Sequence, residues 1–139
     1  MAKADFDRDG DVDLIITNYK DRAHYYVNEV AKGHWLQIRL RGRQSNRDGV
    51  GSIIRIRARG DRQMRVISAG DGYASQFSRV AHFGLGKNEV IEELEVLWPS
   101  GKKQLFEGVL ADQMIEIDED ATKARVIMAR QTASSPSGR

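Results

Sequence analysis

The feature that most limits the fold of this chain is the alternation of apolar and polar residues over short runs, separated by glycine-containing turns. Ile54 and Ile56 alternate with arginines, and Leu94 and Val96 alternate with glutamates. Successive residues of a β-strand face opposite sides of a sheet, so this pattern is typical of half-buried strands. With 13 glycines and no sustained helical period, the sequence predicts an all-β fold, an antiparallel β-sandwich.

The strands and turns divide the chain into three parts. The sandwich is predicted over residues 31–119, a separate hairpin over 1–30, and a tail over 120–139. The tail has helical spacing within 121–129 and a Ser-, Thr- and Pro-rich end that we expect to be disordered. Gly60-Asp61 predicts a tight hairpin between two strands. Strands are predicted at 12–18, 24–28, 35–40, 54–59, 62–68, 93–98, 103–106 and 113–117.

Composition excludes several classes of protein. The chain has 139 residues, 40% of them hydrophobic and 30% charged, which is typical of a globular domain. It lacks cysteine, so disulfide scaffolds, thiol catalysis and zinc sites with cysteine ligands are excluded. No run approaches the roughly 18 apolar residues of a membrane span. The N-terminus has no apolar signal segment, so we expect either an intracellular protein or a piece of a longer one.

Charge is segregated along the chain although the net charge is only +2. Residues 36–66 carry nine arginines against two aspartates, whereas residues 88–120 carry ten carboxylates against two lysines. One interpretation pairs the two regions across neighbouring strands, where opposite charges stabilise each other. The other is a basic surface that binds a polyanion or carbohydrate. Its candidate residues are Arg39, Arg41, Arg43, Arg55, Arg57 and Arg59.

An aspartate-rich loop near the N-terminus carries the clearest chemical signal. Its carboxylates occupy positions 1, 3, 5 and 9 of the loop, and Gly10 at position 6 permits a sharp turn. Calcium binds six to eight oxygen ligands in a flexible shell, which such a loop supplies. Ile16 stands where an EF-hand requires a bidentate glutamate, so this loop is not an EF-hand. The predicted Ca²⁺ ligands are Asp5, Asp7, Asp9, Asp11 and Asp13, with Asp11 contributing its backbone carbonyl.

This loop and the strand after it resemble the calcium-binding half of an FG-GAP or VCBS repeat, a unit of β-propellers in secreted and cell-surface proteins. The resemblance implies calcium binding as a structural staple. The strand that such a repeat places before Asp5 is expected to be missing, so the repeat is incomplete. We therefore expect the apolar side chains of Leu14, Ile15 and Ile16 either to dock on the sandwich or to pair with another copy of the chain.

Residues 34–117 resemble the ASPIC/UnbV domain, which follows such repeats in cartilage acidic protein and bacterial relatives. The resemblance implies an extracellular or cell-surface location and a role in binding macromolecules. Ser52 departs from the alanine that is usual after the glycine of the second block. The matching blocks are His34-Trp35-Leu36, Ser45-Asn46-Arg47-Asp48-Gly49-Val50-Gly51, Ser68-Ala69-Gly70-Asp71-Gly72-Tyr73-Ala74-Ser75-Gln76, His82-Phe83-Gly84-Leu85-Gly86 and Trp98-Pro99-Ser100-Gly101.

Catalysis is not expected from the remaining polar residues. No Gly-x-Ser-x-Gly elbow supports a hydrolytic triad from Ser68, Asp71, Ser75 and His82. His24, His34 and His82 share no metal-ligand spacing, and no glycine-rich segment continues as a nucleotide-binding loop. Two sets remain open to more than one interpretation. Trp35 and Trp98 are predicted to be core residues, and the alternative is an exposed platform on which sugars stack. A set of polar loop residues is predicted to form an internal hydrogen-bond network, and the alternative is a recognition surface. These residues are Asn46, Arg47, Asp48, Tyr73 and Gln76.

The function predicted from the sequence is therefore a non-enzymatic, calcium-binding surface or adhesion module that binds a protein or glycan. Polyanion or carbohydrate binding through the arginine-rich strands is the alternative. Nucleic acid is not an expected partner. The chain is expected to be able to associate with another copy of itself through the N-terminal hairpin. Binding that weakens strongly with salt would favour the alternative.

Overall fold

A computed structural model describes residues 1–7, 9–29, 33–70 and 78–129. These residues form eleven β-strands in three sheets and contain no helix. The all-β prediction is confirmed. None of the described segments is a helix long and apolar enough to cross a membrane.

The first sheet is a small antiparallel unit of three strands. Its strands are β1 (Ala2–Ala4), β2 (Asp13–Ile16) and β3 (His24–Tyr26), in the order β1-β2-β3. The predicted hairpin is thus β2–β3. The prediction that no strand precedes Asp5 was wrong, because Ala2–Ala4 is strand β1. Its three residues pair antiparallel with β2, and the register places Ala4 opposite Asp13 and Ala2 opposite Ile15. Three residues are too few for an alternation pattern, so only the backbone pairing reveals this strand.

The other two sheets form the sandwich, with four strands each. One sheet has the order β11-β10-β4-β7 and the other has the order β6-β5-β8-β9. Their strands are β4 (His34–Arg41), β5 (Ile53–Ala58), β6 (Asp61–Val66), β7 (Ala81–Gly86), β8 (Val90–Leu97), β9 (Lys103–Leu110), β10 (Gln113–Asp118) and β11 (Arg125–Ala129).

The β5–β6 hairpin forms as predicted, but its turn lies one residue earlier than the predicted Gly60-Asp61. Ala58 pairs with Asp61, so the two turn residues are Arg59 and Gly60. Both have positive φ, 46° and 89°, as in the tight turns that match the twist of a hairpin. Gly60 supplies this conformation without a steric cost.

The structure differs from the predictions in three strands. Residues 121–129 showed helical spacing, but Arg125–Ala129 is strand β11, because its backbone pairs with the exposed edge of β10. The sequence predicted no strand at 81–86, but Ala81–Gly86 is strand β7, in which Ala81, Phe83 and Leu85 alternate inward. Strand β10 pairs with β4 in parallel, whereas the sequence predicted an antiparallel sandwich. The disordered end predicted for residues 131–139 lies outside the described residues.

The core lies between the two four-stranded sheets. Leu36, Ile38 and Ile115 of one sheet belong to the same buried cluster as Ile54 and Leu94 of the other. Both tryptophans are buried as predicted, with only 3% of Trp35 and 2% of Trp98 exposed. The Nε1 of Trp98 donates to Gln104 Oε1 at 2.6 Å, which satisfies its polar atom inside the core.

Candidate functional site

The aspartate loop joins β1 to β2 and brings three of its five carboxylates together. One ligand oxygen each from Asp5, Asp7 and Asp13 lies within 4.8 Å of the other two. Asp9 and Asp11 lie outside this group. The Asp11 amide donates to Asp9 Oδ1 at 2.9 Å, and the Asp9 amide donates to Asp7 Oδ1 at 3.3 Å. These short-range bonds turn the backbone locally at Asp7 and Asp9.

Asp13 anchors this cluster from the start of β2. Only 1% of the residue is exposed. The amides of Phe6 and Asn28 each donate to its carboxylate at 3.0 Å, and the Tyr25 hydroxyl donates at 3.1 Å. Burial alone would raise the pKa of Asp13, but the bonds from Asn28, Phe6 and Tyr25 outweigh burial, so the pKa is lowered. A buried, charged carboxylate therefore fixes the base of the loop.

Asp5 connects the loop to the sandwich. Its Oδ2 accepts from the Gly10 amide at 3.1 Å and from Gln37 Nε2 of β4 at 2.6 Å. Its Oδ1 is buried and has no hydrogen-bond partner within the described part of the chain. Buried carboxylate oxygens rarely lack a partner, so the free oxygen marks a place for a cation or an ordered water.

Gly10 packs the same loop against the indole of Trp35. Its φ is +101°, and a Cβ at this position would lie 1.9 Å from Trp35 Nε1. Only glycine fits there without displacing a buried ring. The N-terminal unit therefore does dock on the sandwich, and the loop makes the contact. Leu14, Ile15 and Ile16 are half-buried.

Mutual repulsion among the carboxylates is visible at Asp7. Its pKa is raised, first by desolvation and then by the negative charges of Asp9 and Asp13, while its bond from the Asp9 amide acts in the opposite direction. A bound cation would reverse these effects, because it stabilises the ionised form of all the carboxylates around it.

The arginine-rich strands are largely paired with carboxylates. Arg55 lies 2.6 Å from Glu95, and Arg57 bridges Glu92 and Glu93 at 2.6 and 3.0 Å. Arg39 of β4 and Arg43, in the loop after β4, each form an ion pair with an acidic residue of β10. The interpretation of segregated charge as cross-strand pairing is confirmed for Arg39, Arg55 and Arg57, and Arg43 is paired from a loop. The partners on β10 are Glu116, 2.7 Å from Arg39, and Asp118, 2.8 Å from Arg43.

One buried carboxylate, which the sequence did not single out, organises the loop after β4. Glu119 is fully buried, and its carboxylate accepts the amides of Arg43, Gln44 and Ser45 at 2.6–2.8 Å. The Ser45 and Ser100 hydroxyls donate at 2.8 and 2.5 Å. Burial opposes ionisation, but these donors together lower the pKa to about 2. Glu119 thus joins the loop at Ser45 to the turn at Ser100.

The other polar candidates are distributed over separate places. His34 Nδ1 lies 2.6 Å from Asp112 Oδ2, and His24 stacks on Tyr26 at 6.2 Å. His82 lies on β7. The three histidines thus belong to different strands. Of the four residues considered for a triad, Asp71 and Ser75 lie outside the described residues.

The loop residues predicted to form an internal network do so where they are described. Asn46 both donates to the Val50 carbonyl and accepts the Val50 amide. Asp48 forms an ion pair with Arg79, and the Arg47 carbonyl accepts the Gly42 amide at 2.9 Å. Tyr73 and Gln76, the other two members, lie outside the described residues.

Comparisons with known proteins match most of the chain. The family described as ASPIC and UnbV matches residues 42–124. Cartilage acidic protein 1 of Xenopus tropicalis is 33% identical over 105 residues, which are 73% of this chain and 16% of that protein. The Homo sapiens protein of the same name is 33% identical over 102 residues, 70% of this chain and 15% of its own length. The chain therefore spans about a sixth of the curated relatives it matches.

Proposed function

The chain belongs to the ASPIC and UnbV family, and from this premise we propose that it is a non-enzymatic, calcium-binding interaction module of an extracellular or cell-surface protein. The observation that carries the proposal is the convergence of Asp5, Asp7 and Asp13 within 4.8 Å at the junction with the sandwich. In this proposal the loop and the β1-β2-β3 sheet are part of an FG-GAP or VCBS-type repeat.

The donor set suits calcium better than other common ions. Carboxylate oxygens are hard ligands, and the loop offers neither cysteine nor histidine, which zinc prefers. Three carboxylates do not fill a shell of six to eight oxygens. Asp9 and the backbone carbonyl of Asp11, on the same loop, would supply further oxygens when the ion binds. The buried and unpartnered Oδ1 of Asp5 supports an ion rather than a simple acidic turn.

The proposed role of the ion is structural. Asp5 bonds Gln37 of β4, and Gly10 of the same loop packs on Trp35. An ion held by this loop would therefore fix the position of the N-terminal sheet against the sandwich. Because the ion would offset carboxylate repulsion in the folded state only, its binding would also stabilise the fold.

Exposed aromatic side chains beside the loop support an interaction surface. Phe6 and Tyr25 are each about half exposed, at 44% and 49%. Phe6 and Tyr25 meet edge to face with ring centroids 5.9 Å apart. Aromatic residues are enriched in protein interfaces and also stack on sugars. This face would receive a protein, a glycan or a second copy of the chain.

The extracellular location rests on similarity to proteins named cartilage acidic protein 1. The alternative function, polyanion binding through the arginine-rich strands, has less support. Carboxylates neutralise four of the six candidate arginines, and the pairs lie on two different sheets. A polyanion would have to compete with those carboxylates for the same guanidinium groups.

Calorimetric titration of EDTA-treated protein with CaCl₂ tests the metal site. We expect saturable one-site binding by the original chain and by Asp21→Asn, a control in the β2–β3 turn outside the cluster. Asp7→Asn should weaken binding about tenfold or more, because it removes a charged ligand. Asp9→Asn should also weaken it if the shell extends beyond the three converging carboxylates.

Two outcomes would contradict the proposal. One is the absence of saturable heat at millimolar calcium in the original chain. The other is equal affinity in the original chain and Asp7→Asn, with circular dichroism showing that both are folded. Either result would leave the loop as an acidic turn and remove the support for a calcium-dependent module.

A further inference from the structure

A cleft of about 680 Å³ lies between the N-terminal sheet and one edge of the sandwich. Its walls come from β1, β4, β6, β7, β10 and β11, and from the segments next to them. This volume falls within the range of sites that bind small organic molecules. The described residues that line it and carry the argument are Asp5, Val66, Arg65, Ser78, His82 and Met114.

Arg65 is one of four basic residues in the cleft lining, together with Lys3, Arg39 and Arg79. Its Nη1 donates to the neighbouring Met64 carbonyl at 2.9 Å, and its guanidinium lies 5.3 Å from the centre of the Phe83 ring. It forms no ion pair with a carboxylate among the described residues. By contrast, Glu116 pairs with Arg39, which also lines the cleft. A guanidinium with free donors on an aromatic ring is well placed to bind a carboxylate through two hydrogen bonds.

His82 supplies an imidazole hydrogen-bond donor to the lining of the cleft. Burial lowers the pKa of His82; the negative charge of Asp5 opposes this shift, and the positive charge of Arg65 adds to it. Its Nδ1 is buried without a partner in the described residues. A buried lone pair without a donor costs less than a buried N–H without an acceptor, so we assign the ring proton to Nε2.

The remaining surface of the cleft is mixed. Ser78 and Ser68 carry hydroxyl groups, whereas Val66, Ala81 and Met114 are apolar. Such a lining suits a ligand with one anionic end and an apolar body. Asp5 contributes a negative charge to the same wall, and it would repel a doubly charged group such as phosphate more strongly than a monoanion.

We propose that this cleft binds a small organic carboxylate, with the carboxylate on Arg65 and His82 and the apolar body against Val66 and Met114. Asp5 borders both the cleft and the proposed calcium site, but Arg65 and His82 lie outside the cluster of Asp5, Asp7 and Asp13. Because Arg65 and His82 would hold the carboxylate, its binding would not require calcium. Failure of the calcium proposal would leave this one intact.

The test is an NMR titration of isotope-labelled full-length chain with benzoate, in EDTA and again in calcium. Benzamide is the matched neutral probe, since it has nearly the same shape. We expect saturable shifts at Arg65, Ala81 and His82 with benzoate in both buffers, and much weaker shifts with benzamide. Arg65→Gln should weaken benzoate binding about tenfold or more, as expected for loss of a charged hydrogen bond.

Arg62→Gln is the control variant, because Arg62 is exposed on the same strand and does not line the cleft. It should bind benzoate as the original chain does. Three results would each overturn the proposal. The first is equal binding of benzoate and benzamide, and the second is unchanged benzoate binding in Arg65→Gln. The third is the absence of saturable shifts at about 10 mM benzoate, a concentration that suits weak ligands. Tighter binding of inorganic phosphate than of benzoate would overturn the monocarboxylate assignment. Spectra of each variant establish that it is folded.

Discussion

Replacing Glu119 with glutamine should destabilise the protein substantially through the loss of one charge. The carboxylate accepts three backbone amides and two serine hydroxyls. A glutamine has nearly the same shape, and the hydroxyls of Ser45 and Ser100 can rotate to accept its amide protons. The main change is therefore the loss of charge-assisted bonding to the three amides, with little change in packing.

The magnitude follows from the pKa of Glu119, which folding lowers from 4.5 to about 2. Each pKa unit corresponds to about 1.4 kcal/mol, so the ionised carboxylate contributes about 3 kcal/mol of stability at neutral pH. Because the folded pKa is lowered, this contribution is fully present above pH 4.5. It is lost progressively as the pH falls towards 2.

Urea unfolding of the original chain and of Glu119→Gln, measured at several pH values between 7 and 2.5, checks this expectation. The difference in unfolding free energy should be about 3 kcal/mol at pH 7 and should shrink below pH 4.5. Glu107→Gln, an exposed site on β9, should change stability by less than about 0.5 kcal/mol. A Glu119→Gln effect below 1 kcal/mol at pH 7, or one independent of pH, would refute the reasoning.

Two further substitutions test the packing of the loop and the value of the arginine pairs. Gly10→Ala should destabilise the fold by about 2 kcal/mol or more, because the new Cβ would collide with Trp35. Gly60→Ala is the control, because Gly60 also has positive φ but faces open space, and it should destabilise the fold by about 1 kcal/mol. Equal losses in urea unfolding would contradict the contact with Trp35. Arg57→Gln should leave the urea midpoint nearly unchanged, because its ion pairs are solvent-exposed, and a clear fall in that midpoint would contradict that view.

The sequence predicted strands well where alternation and turn chemistry agree. The β5–β6 hairpin followed from Ile54 and Ile56 on one face and from the turn at Gly60. The sequence predicted strands poorly where backbone pairing with another strand, and not a local pattern, decides the structure. The segment that contains β11 has helical spacing at Ala124, Ile127 and Met128, but the open edge of β10 offers backbone partners that outweigh a weak local preference.

The candidate site shows the same division between local and distant information. The spacing of aspartates predicted a loop with converging carboxylates, and the structure brings together Asp5, Asp7 and Asp13. The sequence could not reveal that Gln37 bonds Asp5, because the two residues are 32 positions apart. Glu119 was also missed, since one acidic residue in an acidic segment carries no signal until its donors from distant turns are known.

The parallel pairing of β4 with β10 has a consequence for the order in which the chain folds. The sheet β6-β5-β8-β9 contains two hairpins, β5–β6 and β8–β9, whose short loops close rapidly, and its central β5–β8 pair spans 40 positions between Arg55 and Glu95. Strand β4 meets β10 only across a separation such as the 77 positions between Arg39 and Glu116. During synthesis, the backbone edge of β4 that pairs with β10 must therefore wait until the chain has been made almost to residue 118. We expect this sheet to complete late and to limit the folding rate of the domain.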